Sequence, residues 1–187
     1  MARLKDKYRN EIRPQLMGQF GLKNLLAVPR VEKVVVNMGL GDAQTDAKIL
    51  DAGMAELAAI TGQKPKVTRA RKSISGFKIR GGVVVGCVVT LRGDRMYEFI
   101  DRLLNVAIPR IRDFRGIPPD SFDKRGSFTL GIRDQTIFPE VVYDNVLRPR
   151  GFNVTFVITK SKTTEQSREL LRAFGMPFRR QEGVGPN

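Results

Sequence analysis

Three stretches of this chain alternate their two kinds of side chain with a period of two, the signature of an extended strand with two unlike faces. In residues 32–38, Val34, Val36 and Met38 fall on one side and Lys33, Val35 and Asn37 on the other. Residues 86–92 separate Cys87, Val89 and Leu91 from Val88, Thr90 and Arg92. In 153–159, Val154, Phe156 and Ile158 share a face. Residues 127–132 read as a further strand and 64–68 as a short extended segment. A sheet built from such strands buries one face under helices and leaves the other wet.

The intervening segments carry a helical period instead. Ile49, Leu50, Gly53, Met54, Leu57 and Ile60 lie on one 3.6-residue stripe, with Thr45 placed to cap the helix and Gly62 to stop it. Met96, Phe99, Ile100, Leu103 and Leu104 make a second stripe, with Asp94 as its expected cap and Pro109 as its end. Thr163 and Gln166 have capping-box spacing ahead of Leu170, Leu171 and Phe174, and Gly175 and Pro177 close that helix. At the start, Leu4, Tyr8 and Ile12 mark a helical arm over residues 1–20, which Pro14 is expected to end or kink before a short second piece. The expected fold is α+β: one domain over 1–187, with a mainly antiparallel sheet of four to five strands. Helices pack on one face and the other is open. A basic hairpin extension is expected at 69–82 and a polar tail at 179–187.

Charge then narrows the function. The chain of 187 residues carries a formal net charge of +14. Between Glu56 and Asp94 there is no acidic residue, yet Lys64, Lys66, Arg69, Arg71, Lys72, Lys78, Arg80 and Arg92 all fall there. So one-signed a stretch calls for an anionic partner, and nucleic-acid phosphate is the commonest. The chain has no histidine and a single cysteine, Cys87, inside an apolar run. Histidine-based nucleophile systems, histidine-ligated zinc and multi-cysteine metal sites are therefore excluded, and no cofactor or metal is expected. Asp94, Glu98 and Asp101 recur along the solvent side of a helix without an opposing cluster. A magnesium-dependent RNA-processing enzyme lacks the acids it needs, while a free nucleic-acid chaperone stays open. No apolar stretch approaches the roughly 20 residues of a membrane span, so the chain is expected in the cytosol, away from membranes.

Four places could bind. On the open sheet face, Lys33, Asn37, Thr90 and Arg92, with Gln63 beside them, offer amide, hydroxyl and cationic donors, a mixture suited to phosphate, ribose 2′-hydroxyl and base edges. An ordinary solvated face is the plainer reading. The loop 69–82 gathers Arg69, Arg71, Lys72, Ser73, Phe77, Lys78, Arg80, Gly81 and Gly82 into a basic, glycine-rich arm expected not to pack on itself. Phe77 suits either stacking on a base or anchoring the loop to the domain. Gly39 and Gly41 invite a dinucleotide reading, but Gln44 stands where the third glycine belongs, so a tight turn or a close approach by RNA backbone fits better. The loop holding Arg110, Arg112, Asp113, Phe114 and Arg115 alternates charge around one aromatic and suits protein contact as well as RNA.

Several long motifs, in order, carry a resemblance: Val28-Pro29-Arg30-Val31-Glu32-Lys33-Val34-Val35-Val36-Asn37-Met38-Gly39, Arg112-Asp113-Phe114-Arg115-Gly116, Ser127-Phe128-Thr129-Leu130-Gly131-Ile132, Ile137-Phe138-Pro139-Glu140 and Ala173-Phe174-Gly175-Met176-Pro177-Phe178. Together they resemble the large-subunit ribosomal proteins that bind 5S ribosomal RNA, number five in the bacterial numbering, over nearly the whole chain. The resemblance implies an α+β fold whose open face is concave and grips a loop of 5S RNA through Lys33, Asn37, Gln63 and Thr90, joining it to 23S RNA and the proteins of the central protuberance. It implies that the arm 69–82 reaches the peptidyl-site tRNA. It also implies that the 110–116 region, with 140–150, faces a protein of the small-subunit head.

Overall fold

In a computed structural model, which describes residues 2–44, 46–119, 121–141 and 148–179, the alternating segments become one antiparallel sheet. Its strands are β1 (Arg30–Gly39), β2 (Lys66–Arg69), β3 (Val84–Leu91), β4 (Phe128–Ile132) and β5 (Phe152–Thr159), in the order β2-β3-β1-β5-β4. The longest strand, β1, lies at the centre and pairs antiparallel with β3 on one side and β5 on the other. Alternation governs both outer strands on one side: β4 buries Phe128, Leu130 and Ile132, and β5 buries Phe152, Val154, Phe156 and Ile158. One extra residue at Glu32 makes a bulge between the Val31–Ile158 and Lys33–Val157 pairs, a device that bends and twists a strand locally.

The buried face meets the helices α3 (Ala47–Thr61), α4 (Gly93–Arg102) and α5 (Thr164–Ala173), whose inward residues join one hydrophobic core with the strands. Phe99 of α4 is fully buried and stacks on Phe138 at 6.0 Å between ring centres. Gly53 lets α3 come down on the sheet, since a Cβ there would lie 2.8 Å from Leu40 Cδ1. At its end, Gly62 takes a left-handed φ of 66° as the C-cap. Thr45, the expected N-cap, lies outside the described residues. Asp46 occupies the N-cap position and its carboxylate accepts from the Lys48 N–H at 2.9 Å.

One helix-end expectation is corrected. Asp94 does not cap α4, whose N-cap is Arg92. Instead Asp94 accepts from Lys5 Nζ at 2.5 Å, while Asp101 pairs with Arg3 at 2.9 Å, so these carboxylates fasten the N-terminal helix to α4. The hydrogen bond from Lys5, and then its charge, hold the Asp94 carboxyl below the usual range. At Pro14, where an end or a kink before a second piece was expected, the arm does not end but passes through an irregular turn into a second helix. The helix runs α1 (Arg3–Lys7), a π-helical turn Tyr8–Ile12, then α2 (Arg13–Gln19). A proline inside a helix lacks an N–H and crowds the carbonyl four residues back. The wider turn just before Pro14 absorbs that conflict. Leu4, Tyr8, Ile12 and Leu16 are all buried, and the Tyr8 hydroxyl donates to the Pro29 carbonyl at 2.9 Å.

The capping box of α5 is shifted by one residue. Thr163 accepts from the Gln166 N–H at 3.4 Å, but Gln166 Oε1 accepts from Lys162 N–H at 2.8 Å. The expected tail at 179–187 lies outside the described residues except for Arg179.

Candidate nucleic-acid interface

The unburied face of the sheet follows directly from register. Val35 stands between Thr90 and Thr155, and Asn37 between Val88 and Asn153. Lys33 opposes Val157, Lys66 opposes Val88, Thr68 opposes Gly86, Thr129 opposes Thr155 and Gly131 opposes Asn153. Apart from Gly86, none of these residues is buried. None is Asp or Glu. The face is thus a strip of valine, threonine and asparagine edged by the cations Lys33 and Lys66.

Four of the expected residues sit together here. Lys33, Asn37 and Thr90 are half-buried on the face and make no side-chain hydrogen bond among the described residues, so their polar groups are free for a ligand. Arg92 is exposed, one residue beyond β3, in extended backbone ahead of α4. Gln63 behaves differently. Its Nε2 donates to the Thr90 carbonyl at 3.3 Å just before the start of β2, and its backbone N–H reaches Thr61 Oγ1 at 3.4 Å. Part of its hydrogen-bonding capacity therefore closes the sheet edge.

Other members of the face were missed in the sequence. Asn153, Thr155 and Thr129 extend the polar strip across β5 and β4, and the Thr129 and Thr155 hydroxyls bond at 3.0 Å. The alternation that buries Val154 and Phe156 already puts Asn153 and Thr155 on the other side. The signal was present, but it lies far along the chain from the basic segment that draws the eye. At this end of the sheet Asn37, Gly39, Gly131, Arg133, Gly151 and Asn153 line a shallow cavity of about 600 Å³. Gly39 and Gly86 face each other on β1 and β3, and a Cβ on Gly86 would overlap the Met38 carbonyl oxygen. Beneath the face, Cys87 is buried. Burial, helped by Glu56, pushes its thiol up to about 11, which leaves it protonated and inert near neutral pH.

The loop 69–82 joins the antiparallel pair β2 and β3 and carries structure of its own. Ala70 and Val83 are bonded through Ala70 N–H to Val83 O at 2.8 Å, and Ile74 and Ile79 exchange bonds of 2.8 and 3.1 Å. Lys78 closes the tip with a left-handed φ of 53°. Two of the expected contact residues help build it: Ser73 Oγ accepts from Gly81 N–H at 2.9 Å, and Arg69 Nη1 donates to the Gly82 carbonyl at 3.0 Å. Arg71, Lys72, Lys78 and Arg80 have no ion pair among the described residues, and all four stand out in solvent. Phe77 is 75% exposed, so it does not anchor the arm to the domain.

The loop with Arg110, Arg112, Asp113, Phe114 and Arg115 lies away from the open face, over the end of β4. Phe114 packs partly into the core, while Arg112 and Asp113 are exposed and 4.0 Å apart. The loop walls a cavity of about 710 Å³ with Leu130, Ile132 and Arg133. Of the 140–150 segment, 142–147 lie outside the described residues. Gln135, fully buried, ties its flank down by accepting from Arg150 N–H at 2.5 Å and donating to the Arg148 carbonyl at 3.1 Å. Among the described residues no cluster of three or more Asp, Glu, His or Cys could hold a metal ion, and no helix is long and apolar enough to cross a membrane.

Comparison with known proteins covers both halves of the chain. Residues 24–80 match the family described as ribosomal protein L5, and residues 84–178 match the model of that ribosomal family's C-terminus. The large ribosomal subunit protein uL5 of Rubrobacter xylanophilus is 59% identical over 96% of this chain and 99% of its own length. Its counterpart in Heliobacterium modesticaldum is 58% identical over the same shares, and that of Desulforamulus reducens 57% over 95% and 98%. Matches of this extent and identity, on a fold whose polar sheet face has no acid at its paired positions, place the chain in the ribosomal protein L5 (uL5) family.

Proposed function

We propose that the open sheet face is the 5S ribosomal RNA-binding surface of a protein that attaches this RNA to the central protuberance. The chain is a structural, non-catalytic constituent of the large ribosomal subunit and works in the cytoplasmic ribosome, as its membership of a family of ribosomal proteins implies. The observation that supports the RNA surface is the company kept by Asn37. It stands half-exposed and unpaired beside Thr90, Thr155 and Asn153, on a face whose paired positions hold no carboxylate.

The chemistry follows from those groups. Lys33, Lys66 and Arg92 attract phosphate, while the threonine hydroxyls and asparagine amides can exchange hydrogen bonds with 2′-hydroxyls and base edges. The valines Val35, Val88 and Val157 make a flat apolar floor between them. In this reading the exposed arm 69–82 extends toward the peptidyl-site tRNA and offers Arg71, Lys72, Lys78 and Arg80 to phosphate and Phe77 to a base or ribose. The loop with Arg110, Arg112, Asp113, Phe114 and Arg115 meets a protein of the small-subunit head. 23S RNA and the proteins of the central protuberance complete the set of partners.

Binding of the purified chain to 5S RNA, measured against potassium chloride concentration, tests the surface. If about five cations engage phosphate, log affinity falls against log salt with a slope of roughly −3.5 to −4.5. A salt-insensitive association would overturn the reading.

A further inference from the structure

A second cationic site lies on the helix side of the sheet, away from both the open face and the arm. Arg168 and Arg172 stand four residues apart on α5, hence on one face of the helix. Gly175, at φ 100°, turns the chain back, and the strap that follows is pinned beside Ile117. There the Ile117 N–H donates to the Pro177 carbonyl at 2.9 Å and the Arg179 N–H donates to the Ile117 carbonyl at 2.9 Å. The strap brings Arg179 to the same notch. The result is a cavity of about 350 Å³ lined by the three arginines with Pro119, Pro177 and Phe178 among its walls, and with no Asp or Glu among the described residues of its lining.

The charges there are poorly compensated. Arg172 pairs with Glu169 at 2.6 Å, but neither Arg168 nor Arg179 has an ion pair among the described residues. The Nε of Arg168 is shut off from solvent and has no hydrogen-bond partner. Among the described residues no carboxylate pairs with that guanidinium. Planar guanidinium groups converging on a small notch match the paired oxygens of a phosphate diester better than a peptide carbonyl.

We propose that Arg168, Arg172 and Arg179 form a second phosphodiester site that takes RNA backbone, separate from the segment lying on the sheet. The site goes beyond the open-face reading and does not depend on it. A protein with phosphate-binding surfaces on two sides holds two RNA segments in fixed relation, which a single face cannot do.

The Nε–H signals of the three arginines in an ¹⁵N-labelled sample of the full chain report the site directly. They are followed during titration with a short A-form RNA duplex, with inorganic phosphate, and with chloride at matched ionic strength. The expected result is a saturable shift of all three signals with the duplex, at concentrations about tenfold below those needed with phosphate, and little response to chloride. Arg172→Gln combined with Arg179→Gln should reduce the steepness of the salt dependence of duplex binding by about 1.4–1.8 while leaving 5S RNA affinity within a factor of about two. Asn37→Ala should do the reverse, lowering 5S affinity and leaving the arginine shifts unchanged. Equal responses to chloride and RNA would overturn the proposal. So would a response to phosphate with none to the duplex, which would leave a small-anion site only.

Discussion

Asn37 of β1 stands directly opposite Asn153 of β5, two amides side by side on a face otherwise made of threonine and valine. Neither makes a side-chain hydrogen bond among the described residues, so each has its full set of donors and acceptors to offer. Asn37→Ala should weaken 5S RNA binding by about 1–3 kcal/mol, and Asn153→Ala by a similar amount, without changing the melting temperature. Filter binding paired with thermal melting checks this. A loss of binding that tracks a loss of stability would assign both residues to the fold instead.

The arm separates from the face in a second experiment. Replacing residues 69–82 by a short glycine turn should leave 5S affinity nearly intact, because the arm's exposed cations lie beyond the paired strands. Ribosomes assembled with the shortened chain should translate more slowly. Comparable losses of 5S binding from this change and from Asn37→Ala would show that the arm belongs to the 5S surface.

Gly86 carries a steric prediction. A methyl group there would overlap the Met38 carbonyl oxygen in the central β1–β3 ladder, where backbone has little room to move. Gly86→Ala should cost about 1–3 kcal/mol of stability, as overpacking of a well-packed interior does. Gly39→Ala, whose Cβ would meet nothing within 4 Å, should be close to neutral. Urea unfolding of the two variants compares them.

Alkaline titration isolates Tyr8. Burial, and then the neighbouring Tyr97, push its hydroxyl up to about 12 from an ordinary 10.0. A group that holds its proton more tightly when folded stabilises the fold fully below the unfolded value, and that contribution is lost as pH rises through the folded one. The protein should therefore lose stability between about pH 10 and 12. Tyr8→Phe should start less stable by about 1 kcal/mol, for want of the bond to Pro29, and lose less over that window. Urea midpoints at several pH values test the crossing of the two curves.

The sheet was legible in the sequence because burial on one face forces a period of two, and a one-residue slip in 32–38 or 153–159 would expose the whole set of Val34, Val36, Val154 and Phe156. Gly62 and the Thr163–Gln166 pair were equally readable, since both act within a few residues along the chain. The misread cap of α4 is of another kind. Asp94 has every local credential of a cap, but Lys5, far away in sequence, claims its carboxylate. Pro14 is tolerated because the turn before it widens, and tertiary burial of Tyr8, Ile12 and Leu16 holds the arm together. Strand order lay outside a local reading, and with it the neighbours of Asn37. So Asn153 entered the site only once β5 was seen beside β1.

Where Gly39 faces Gly86, the ladder ends without side chains and shows only peptide planes to whatever lies against it. A nucleotide pressed there meets contour alone, with nothing to tell purine from pyrimidine. On the proposed RNA-binding reading, discrimination would fall to the amide next along the strand, and fidelity for a particular loop would rest on how far along β1 that loop is seated.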